Sequence, residues 1–118
     1  MRYLCLVYLD ENALAGLLPG AQAALDAECR DYRERLQRSG QLIIGEALQP
    51  VLSTTTLRLE GGRLSLRDGP VLDSCEQPAA FYLLEALDLN DAIRLASRIP
   101  PGRLGCVEVR ALHPRAPP

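Results

Sequence analysis

Two glutamates that interrupt apolar segments are the side chains of this sequence best suited to acid–base chemistry. Glu46 lies within "QLIIGEAL" and Glu108 within "LGCVEVRAL". A carboxyl group that is partly buried in a cleft has a raised pKa, and it can then act as a general base near neutral pH. The alternative is that each carboxylate faces water or pairs with an arginine, as Arg110 would pair with Glu108 on the same strand face. Both interpretations stay open for both residues.

A long connection joins an Asp-Gly-Pro turn to an apolar strand in "RDGPVLDSCEQPAAFYLLEA", residues 67–86. Asp68 is either a turn former whose side chain accepts backbone N–H groups, or a polar group that the turn presents to a pocket. Glu76, on the same loop, is either a solvated charge or a group that closes over a cleft. We predict that this loop forms the lip of a cleft, with Asp68 as a second catalytic candidate and Glu76 as a ligand-binding candidate.

Two tyrosines are further candidates for ligand binding. Tyr82 in "FYLLEA" is either a core residue or a hydroxyl offered to a ligand, and Tyr8, near the end of the first strand, is placed to line a pocket. The single histidine, His113, lies near the carboxyl terminus, away in sequence from any nucleophile. Neither a phosphate-binding loop nor a dinucleotide motif occurs. The sequence therefore predicts no cofactor and no metal, and any catalysis is expected to be cofactor-free proton transfer.

The composition is that of an ordinary globular protein with a small negative charge. The 118 residues carry a formal net charge of −2, and all 13 basic residues are arginines interleaved with acidic ones. Because nucleic-acid binding needs clustered positive charge, no nucleic-acid partner is predicted. No apolar run is long enough to cross a membrane, and "MRYLCLVYLDEN" lacks the pattern of a signal peptide. These observations predict a cytoplasmic protein without a membrane partner.

The four cysteines do not form a metal-binding pattern, because none lies within four residues of another. Cys5, Cys29 and Cys106 occupy apolar patterns and are predicted to be buried, unreactive thiols. Cys75 lies in the polar loop and is predicted to be exposed.

The hydrophobic pattern predicts eight elements in the order β-α-β-β-β-β-α-β. Apolar positions recur every three or four residues in two segments and follow strand-like patterns elsewhere. The glycine pair Gly61-Gly62 between two alternating segments predicts a hairpin. The predicted strands are 2–9, 41–48, the two arms of the hairpin 54–70, 80–87 and 104–112, and the predicted helices are 21–38 and 89–99. Their apolar faces are predicted to be Leu25, Cys29, Tyr32 and Leu36 in the first helix, and Leu89, Ala92, Ile93 and Ala96 in the second.

This order predicts an α+β fold of the ferredoxin-like type, in which a split βαβ plan carries an inserted β-hairpin. Residues 1–112 are predicted to form a single domain, and 113–118 a disordered tail. Two helices cover only one face of a sheet, yet "RYLCLVYL" and "AFYLLEAL" are apolar on both faces. A homodimer that packs sheet against sheet is therefore predicted.

The sequence resembles the YCII-related family, and specifically its DGPF branch of small bacterial proteins, nearly from end to end. The resemblance rests on "RYLCLVY", "GEALQP", "TTTLRL", Asp68-Gly69-Pro70, Glu76-Gln77, "FYLLEALDLNDAIRLASRIP" and "GCVEVRAL". It implies a dimeric α/β barrel of ferredoxin-like subunits, and it favours Glu46 as the catalytic candidate because "GEALQP" carries that residue in the family. The genes of some members of the branch neighbour genes for alternative sigma factors. The loop departs from the branch pattern at Val71, Cys75, Pro78, Ala79 and Ala80, so a site in this loop is expected to be either altered or lost in this chain.

Together these features predict a small-molecule-binding protein, and cofactor-free acid–base catalysis on a small polar or aromatic metabolite is its enzymatic interpretation. The predicted catalytic residues are Glu46 and Asp68, and the predicted ligand-binding residues are Tyr8, Glu76, Tyr82 and Glu108. The alternative is a non-catalytic ligand-sensing or protein-interaction module linked to transcriptional regulation. The lack of a reactive dyad favours this alternative, whereas a polar cleft holding a carboxyl group of raised pKa would favour an enzyme.

Overall fold

Six strands and three α-helices occur in the computed structural model, which describes residues 1–115. The strands are β1 (Arg2–Leu9), β2 (Leu42–Ala47), β3 (Thr55–Glu60), β4 (Arg63–Asp68), β5 (Gln77–Glu85) and β6 (Gly105–Ala111). The helices are α1 (Glu11–Ala15), α2 (Pro19–Arg38) and α3 (Leu89–Ala96), and two short 3₁₀ segments span Val51–Ser53 and Pro100–Leu104. The predicted α+β order is confirmed, and α1 is a short addition to it.

Four strands form one antiparallel sheet in the order β2-β5-β1-β6, which is the ferredoxin-like arrangement. The hairpin β3–β4 forms a separate two-stranded sheet. Strand β5 begins at Gln77, three residues before the predicted start. Pro78 is tolerated there because the β1–β5 register shifts between Val7 and Tyr8, and such a bulge accepts a residue that has no N–H to donate.

Both long helices lie on one face of the four-stranded sheet. Along β1 the side chains of Tyr3, Cys5, Val7 and Leu9 are buried, and those between them are only half-buried. The same alternation runs along β5, where Ala80, Tyr82 and Leu84 are buried. Because successive strand residues point to opposite faces, the helices cover one face and leave the other without a helical layer.

The long helix α2 presents the predicted apolar stripe to the sheet. Leu25, Tyr32 and Leu36 are buried, and Cys29 is half-buried. The Tyr32 hydroxyl donates a hydrogen bond of 2.7 Å to the Leu95 carbonyl oxygen of α3, which satisfies the polar end of a buried ring. The Tyr32 ring also meets the Tyr82 ring edge to face, with centroids 5.8 Å apart. These contacts join both helices to the centre of the sheet.

Helix α3 begins at a capping aspartate and buries a different stripe from the predicted one. The Asp88 carboxylate accepts a 2.8 Å hydrogen bond from the Asp91 N–H. The buried residues of α3 are Ala92, Leu95 and Ala96, so the prediction that Leu89 and Ile93 lie on the buried face is wrong. The helix is rotated because the stripe at 92, 95, 96 and 99 continues onto the buried Ile99, beyond the end of the helix.

Two further points concern the predicted tail 113–118 and the search for membrane-spanning helices. His113 to Arg115 follow β6 without helix or strand, and the rest of the predicted tail 113–118 lies outside the described residues. Among residues 1–115, none of the helices combines the length and apolarity needed to span a bilayer.

Candidate functional site

A cleft of about 800 Å³ lies at one end of the four-stranded sheet and contains three of the six predicted site residues. Tyr8, Glu76 and Glu108 all line it. Its other walls are the connection between β2 and β3, the base of β3, and the loop between β4 and β5. The lining residues of the last loop are Pro70, Val71, Leu72, Ser74 and Glu76, and they are followed by Gln77 and Pro78 at the start of β5. The loop therefore forms the lip of a cleft.

Pairing of β1 with β6 places Tyr8 and Glu108 beside each other. In the antiparallel register Tyr8 stands opposite Cys106, and Leu6 stands opposite Glu108. Tyr8 and Glu108 are thus diagonal neighbours on the same face of the sheet, a separation that long side chains span. This face is the one that the helices leave uncovered, so the pair opens into the cleft.

The Tyr8 phenol keeps its proton at neutral pH. Partial burial, followed by the negative charge of the neighbouring Glu108 carboxylate, raises the pKa of Tyr8 above its usual value of 10.0. A phenol in this state donates a hydrogen bond, and the carboxylate beside it accepts one. The pair therefore offers one donor and one acceptor at adjacent positions of the cleft.

Glu76 reaches the junction of β1 and β6 because Gly105 leaves room for it. A Cβ atom on Gly105 would stand 2.9 Å from Glu76 Oε2 and only 1.9 Å from the Tyr8 carbonyl oxygen. No side chain fits between these groups. The absence of a side chain at Gly105 therefore lets the Glu76 carboxylate lie close to the Tyr8 main chain.

Two residues hold the loop in place, and neither of them was predicted from the sequence to have a role in the site. The Gln77 side-chain amide donates to the carbonyl oxygens of Leu72 and Ser74, at 2.8 and 2.9 Å. Gly69 has a φ of 103°, a conformation that favours glycine, and its N–H donates to the Thr54 carbonyl oxygen at 2.8 Å. Gln77 belongs to the motif Glu76-Gln77, which pointed to this position. Its role could not be predicted, because the Gln77 side chain binds backbone oxygens, and a pattern of residue types does not identify such partners.

The opposite wall of the cleft is held by α1, the helix that the sequence did not clearly predict. Glu11 Oε1 accepts a hydrogen bond of 2.5 Å from the Val51 N–H at the start of a 3₁₀ segment. The Leu48 N–H donates to the Ala79 carbonyl oxygen at 2.8 Å. These bonds attach the connection that follows β2 to two different parts of the chain, so this wall is anchored at both ends.

Glu46 and Tyr82 lie outside the cleft and line a second cavity of about 340 Å³ on the helical side of the sheet. Glu46 is on the edge strand β2, and its carboxylate stands 3.5 Å from the Arg33 guanidinium of α2. Arg33 also donates to the Gly45 carbonyl oxygen. Glu46 is therefore partnered by an arginine, which corresponds to the alternative interpretation of this residue.

Asp68 lines neither of these two cavities. It is the last residue of β4, stands opposite Thr55 at the base of the hairpin, and is exposed. The predicted pair Glu46 and Asp68 is thus not brought together within the chain, because one residue is attached to the helical layer and the other to the hairpin. The turn itself is present, since the Arg67 guanidinium donates to the Pro70 carbonyl oxygen and closes it.

The cysteines follow the prediction in part. Cys5 is buried, and burial raises the pKa of its thiol to about 11. Cys75 is exposed as predicted, but the prediction that Cys106 is buried is wrong: it lies at the start of edge strand β6 on the uncovered face and lines the cleft. Within residues 1–115 no three His, Cys, Asp or Glu side chains converge as metal ligands would.

The charge of the cleft is negative. Its charged lining residues are Glu76 and Glu108, and no arginine lines it within the described residues 1–115. The remaining walls combine apolar side chains, such as Leu48, Val51 and Leu72, with hydroxyl and amide groups. A cleft of this sign and composition suits a ligand with an apolar body and a positively charged or hydrogen-bond-donating group.

Two comparisons with known proteins bear on this chain. An uncharacterised protein of Rhizobium meliloti (strain 1021) is 26% identical over 114 residues, which cover 95% of this chain and 92% of the relative. The model of the YCII-related domain matches residues 1–115. Since that match includes every strand of the sheet and the whole cleft, the chain belongs to the YCII-related family.

Proposed function

We propose that this protein binds a small molecule in the cleft between Tyr8, Glu76 and Glu108. The observation that carries the proposal is the grouping of a protonated phenol and two carboxylates in a cavity of about 800 Å³, a volume typical of small-molecule sites. The lining supports a ligand class as well. Two negative charges without an arginine disfavour a carboxylate or phosphate ligand and favour an amine or another cation attached to an apolar body.

Acid–base catalysis is the second candidate, and the Tyr8–Glu108 pair is the feature that favours it. The Tyr8 phenol, which its raised pKa keeps protonated, can hydrogen-bond to negative charge that develops on a bound molecule, and the adjacent carboxylate can accept a proton from that molecule, without any cofactor. This assignment replaces Glu46 and Asp68, which line no common cavity. A ligand-sensing module without catalysis would use the same cleft and remains the rival proposal.

Three further proposals concern the assembly of the protein, its branch within the family and its location in the cell. We propose a homodimer in which a second copy covers the open face of the sheet, as the apolar side chains of that face support. Membership of the DGPF branch is supported by Asp68-Gly69-Pro70 and Glu76-Gln77. The cytoplasmic location stays a prediction from the sequence.

A thermal-shift screen tests the binding proposal with two matched panels of compounds. One panel contains aliphatic and aromatic primary amines, and the other contains the carboxylic acids of the same carbon skeletons. A ligand at 100 times its Kd stabilises the native state by about 2.7 kcal/mol, and 118 residues unfold with about 250 cal/mol/K of entropy, so Tm should rise by about 11 °C. We expect such shifts from amines and not from the matched acids.

Three glutamine variants locate the site. Glu108→Gln and Glu76→Gln should each reduce the shift caused by an amine, because each removes one negative charge from the cleft. Glu46→Gln makes the same change in the second cavity and should leave that shift unaltered. Shifts from acids alone would refute the proposed ligand class, and amine shifts that respond only to Glu46→Gln would move the site to the second cavity.

A further inference from the structure

The Tyr82 hydroxyl is a polar group on a buried ring, and it has no hydrogen-bond partner within residues 1–115. Tyr82 is only 8% exposed. In this part of the chain every side-chain oxygen or nitrogen that is sealed from solvent has a partner, so the Tyr82 hydroxyl is not sealed and opens into the second cavity, which Tyr82 lines. A buried hydroxyl without a partner is costly, and a ligand that accepts its hydrogen bond removes this cost.

Contacts of the Tyr82 ring fix the direction of this hydroxyl. A Cβ atom on Gly45 of β2 would stand 2.6 Å from the ring, so the ring lies directly against the glycine. The ring also meets Tyr32 edge to face. Burial, followed by the neighbouring Cys29, raises the pKa of Tyr82 above its usual value of 10.0, and the Arg33 guanidinium offsets only part of this rise. The phenol therefore stays protonated and can donate a hydrogen bond from a fixed position.

The second cavity continues into a third one, so that an apolar groove leads away from the hydroxyl. The third cavity has a volume of about 470 Å³ and lies between α1, the start of α2 and the end of β2. We call the two cavities together the helix-side groove, and the residues that line both are Leu9, Leu14, Leu25, Asp26, Ala47 and Ala79. Ala47 of β2 pairs with Ala80 of β5, and these small side chains leave space between the sheet and the helices.

The charged groups that line the second cavity balance one another. They are two arginines and two acidic residues, Arg30, Arg33, Asp26 and Glu46. Arg30 and Asp26 are exposed, and Arg33 is paired with Glu46. Because the cavity carries no net charge, it favours neither an anion nor a cation, in contrast to the negative cleft. Its apolar interior therefore suits an uncharged molecule.

We propose that the helix-side groove binds an uncharged small molecule that has a carbonyl oxygen at one end of an apolar chain. The carbonyl oxygen accepts the hydrogen bond of the Tyr82 hydroxyl, and the chain extends between Leu14 and Leu25 into the third cavity. The volume of about 340 Å³ around Tyr82 is within the range of small-molecule sites. The second cavity shares no lining residue with the cleft among residues 1–115, so this site does not depend on the proposed function.

Titration calorimetry with 2-hexanone, 2-heptanone and 2-octanone tests the ligand class. If the chain is buried in the groove, each added methylene should tighten binding about 4-fold. Octanoate has the same chain length as 2-octanone and a negative charge, and we expect it to bind more weakly because the cavity has no net positive charge to hold it. An affinity that does not rise with chain length, or tighter binding of octanoate, would refute the ligand class. A wild type that binds none of the ketones would overturn the proposal.

Two tyrosine variants test the role of the hydroxyl. Tyr82→Phe should weaken binding of 2-octanone about 5-fold, the contribution of one hydrogen bond. Its free energy of unfolding should stay at the wild-type value, because the hydroxyl makes no hydrogen bond within residues 1–115. Tyr3→Phe removes the same atom from another buried tyrosine, one that lines neither cavity of the groove, and should leave the affinity unchanged. Equal affinities in the wild type and Tyr82→Phe would remove the hydroxyl from the site.

Obstruction of the groove separates this site from the cleft. Ala47→Phe places a ring in the space that the two cavities share, so it should abolish the binding of 2-octanone. Ala47 does not line the cleft, and the Tm shifts caused by amines should therefore persist in this variant. Circular dichroism checks that each variant is folded. A folded Ala47→Phe variant that binds 2-octanone as the wild type does would overturn the proposal, whatever the outcome of the amine screen.

Discussion

Replacement of Gly105 by alanine should destabilise the protein strongly, because two of the atoms that the new Cβ would meet belong to the backbone. The Cβ would lie 1.9 Å from the Tyr8 carbonyl oxygen and 2.9 Å from the Leu9 Cα atom. Backbone atoms cannot rotate away as a side chain can, so β1 and β6 must separate at the point where Gly105 stands opposite Leu9. Overpacking of this kind costs about 3 kcal/mol, which for 118 residues lowers Tm by about 12 °C.

Two other glycines give a graded series for the same substitution. A Cβ on Gly102 would stand 2.8 Å from a Val107 methyl group, a side-chain atom and not a backbone atom, so Gly102→Ala should cost less than Gly105→Ala, about 1–2 kcal/mol. Gly20 lies in the first turn of α2, where a Cβ would meet no atom within 4 Å, so Gly20→Ala should be neutral or stabilise by up to about 1 kcal/mol.

Urea unfolding followed by circular dichroism measures the series, with all variants at one protein concentration because a dimer makes stability depend on concentration. The expected order of stability is Gly20→Ala, wild type, Gly102→Ala and Gly105→Ala. The reasoning is refuted if the free energy of unfolding of Gly105→Ala lies within about 0.5 kcal/mol of the wild-type value. The strands would then not approach as closely as in the structure, and the placement of Glu76 beside Tyr8 would lose its basis.

Three further predictions concern single contacts. Tyr32→Phe should lower the free energy of unfolding by about 1 kcal/mol, measured by urea unfolding, because the Leu95 carbonyl oxygen of α3 loses its hydroxyl donor and keeps only backbone N–H donors. The backbone N–H of Leu87 and a nearby arginine lower the pKa of Asp91 below its usual 3.8. The resulting stabilisation is complete above the unfolded-state pKa and is lost as the pH falls through the folded-state value, so Asp91→Asn should be less stable at pH 7 and lose less stability than the wild type on acidification from pH 5. A thiol reagent at pH 8 should label Cys75 in the native protein and Cys5 only after unfolding, since Cys5 is buried with a pKa of about 11.

Local sequence patterns predicted the elements well where one physical rule decides the structure. The segment 2–9 is apolar after its first residue, Arg2, and it forms β1 with the predicted ends. Gly61 and Gly62 both take a positive φ between β3 and β4, as the hairpin prediction required. The stripe through Leu25, Tyr32 and Leu36 is also the buried side of α2. In each case the structure is determined by residues that lie within a few positions of one another in the sequence.

The grouping of the site could be predicted only in part, because it depends on how strands pair. Tyr8 and Glu108 were chosen separately, and the antiparallel register of β1 with β6 makes them neighbours. Glu46 was chosen for being a charge in an apolar strand, but Arg33, thirteen residues earlier in the chain, lies across from it on α2. Alternation in the hairpin likewise indicated an apolar side without indicating what covers it. A periodic pattern indicates that a side chain is buried against another residue or paired with one. Only the folded structure shows which residue lies close enough to make that contact.

Two hydrogen bonds join the hairpin to the loop that borders the cleft, and they help to explain why this loop is long. The Thr56 hydroxyl donates to the Gly69 carbonyl oxygen at 2.7 Å, and the Gly69 N–H donates to the Thr54 carbonyl oxygen at 2.8 Å. Pro70, the next residue, already lines the cleft. The hydrogen bonds between the hairpin and Gly69 therefore fix the start of the lip, while Gln77 fixes its end through two backbone carbonyls. A shorter loop would hold the lip against the sheet, whereas this length lets it reach from the hairpin to β5 and leave the cleft open between them.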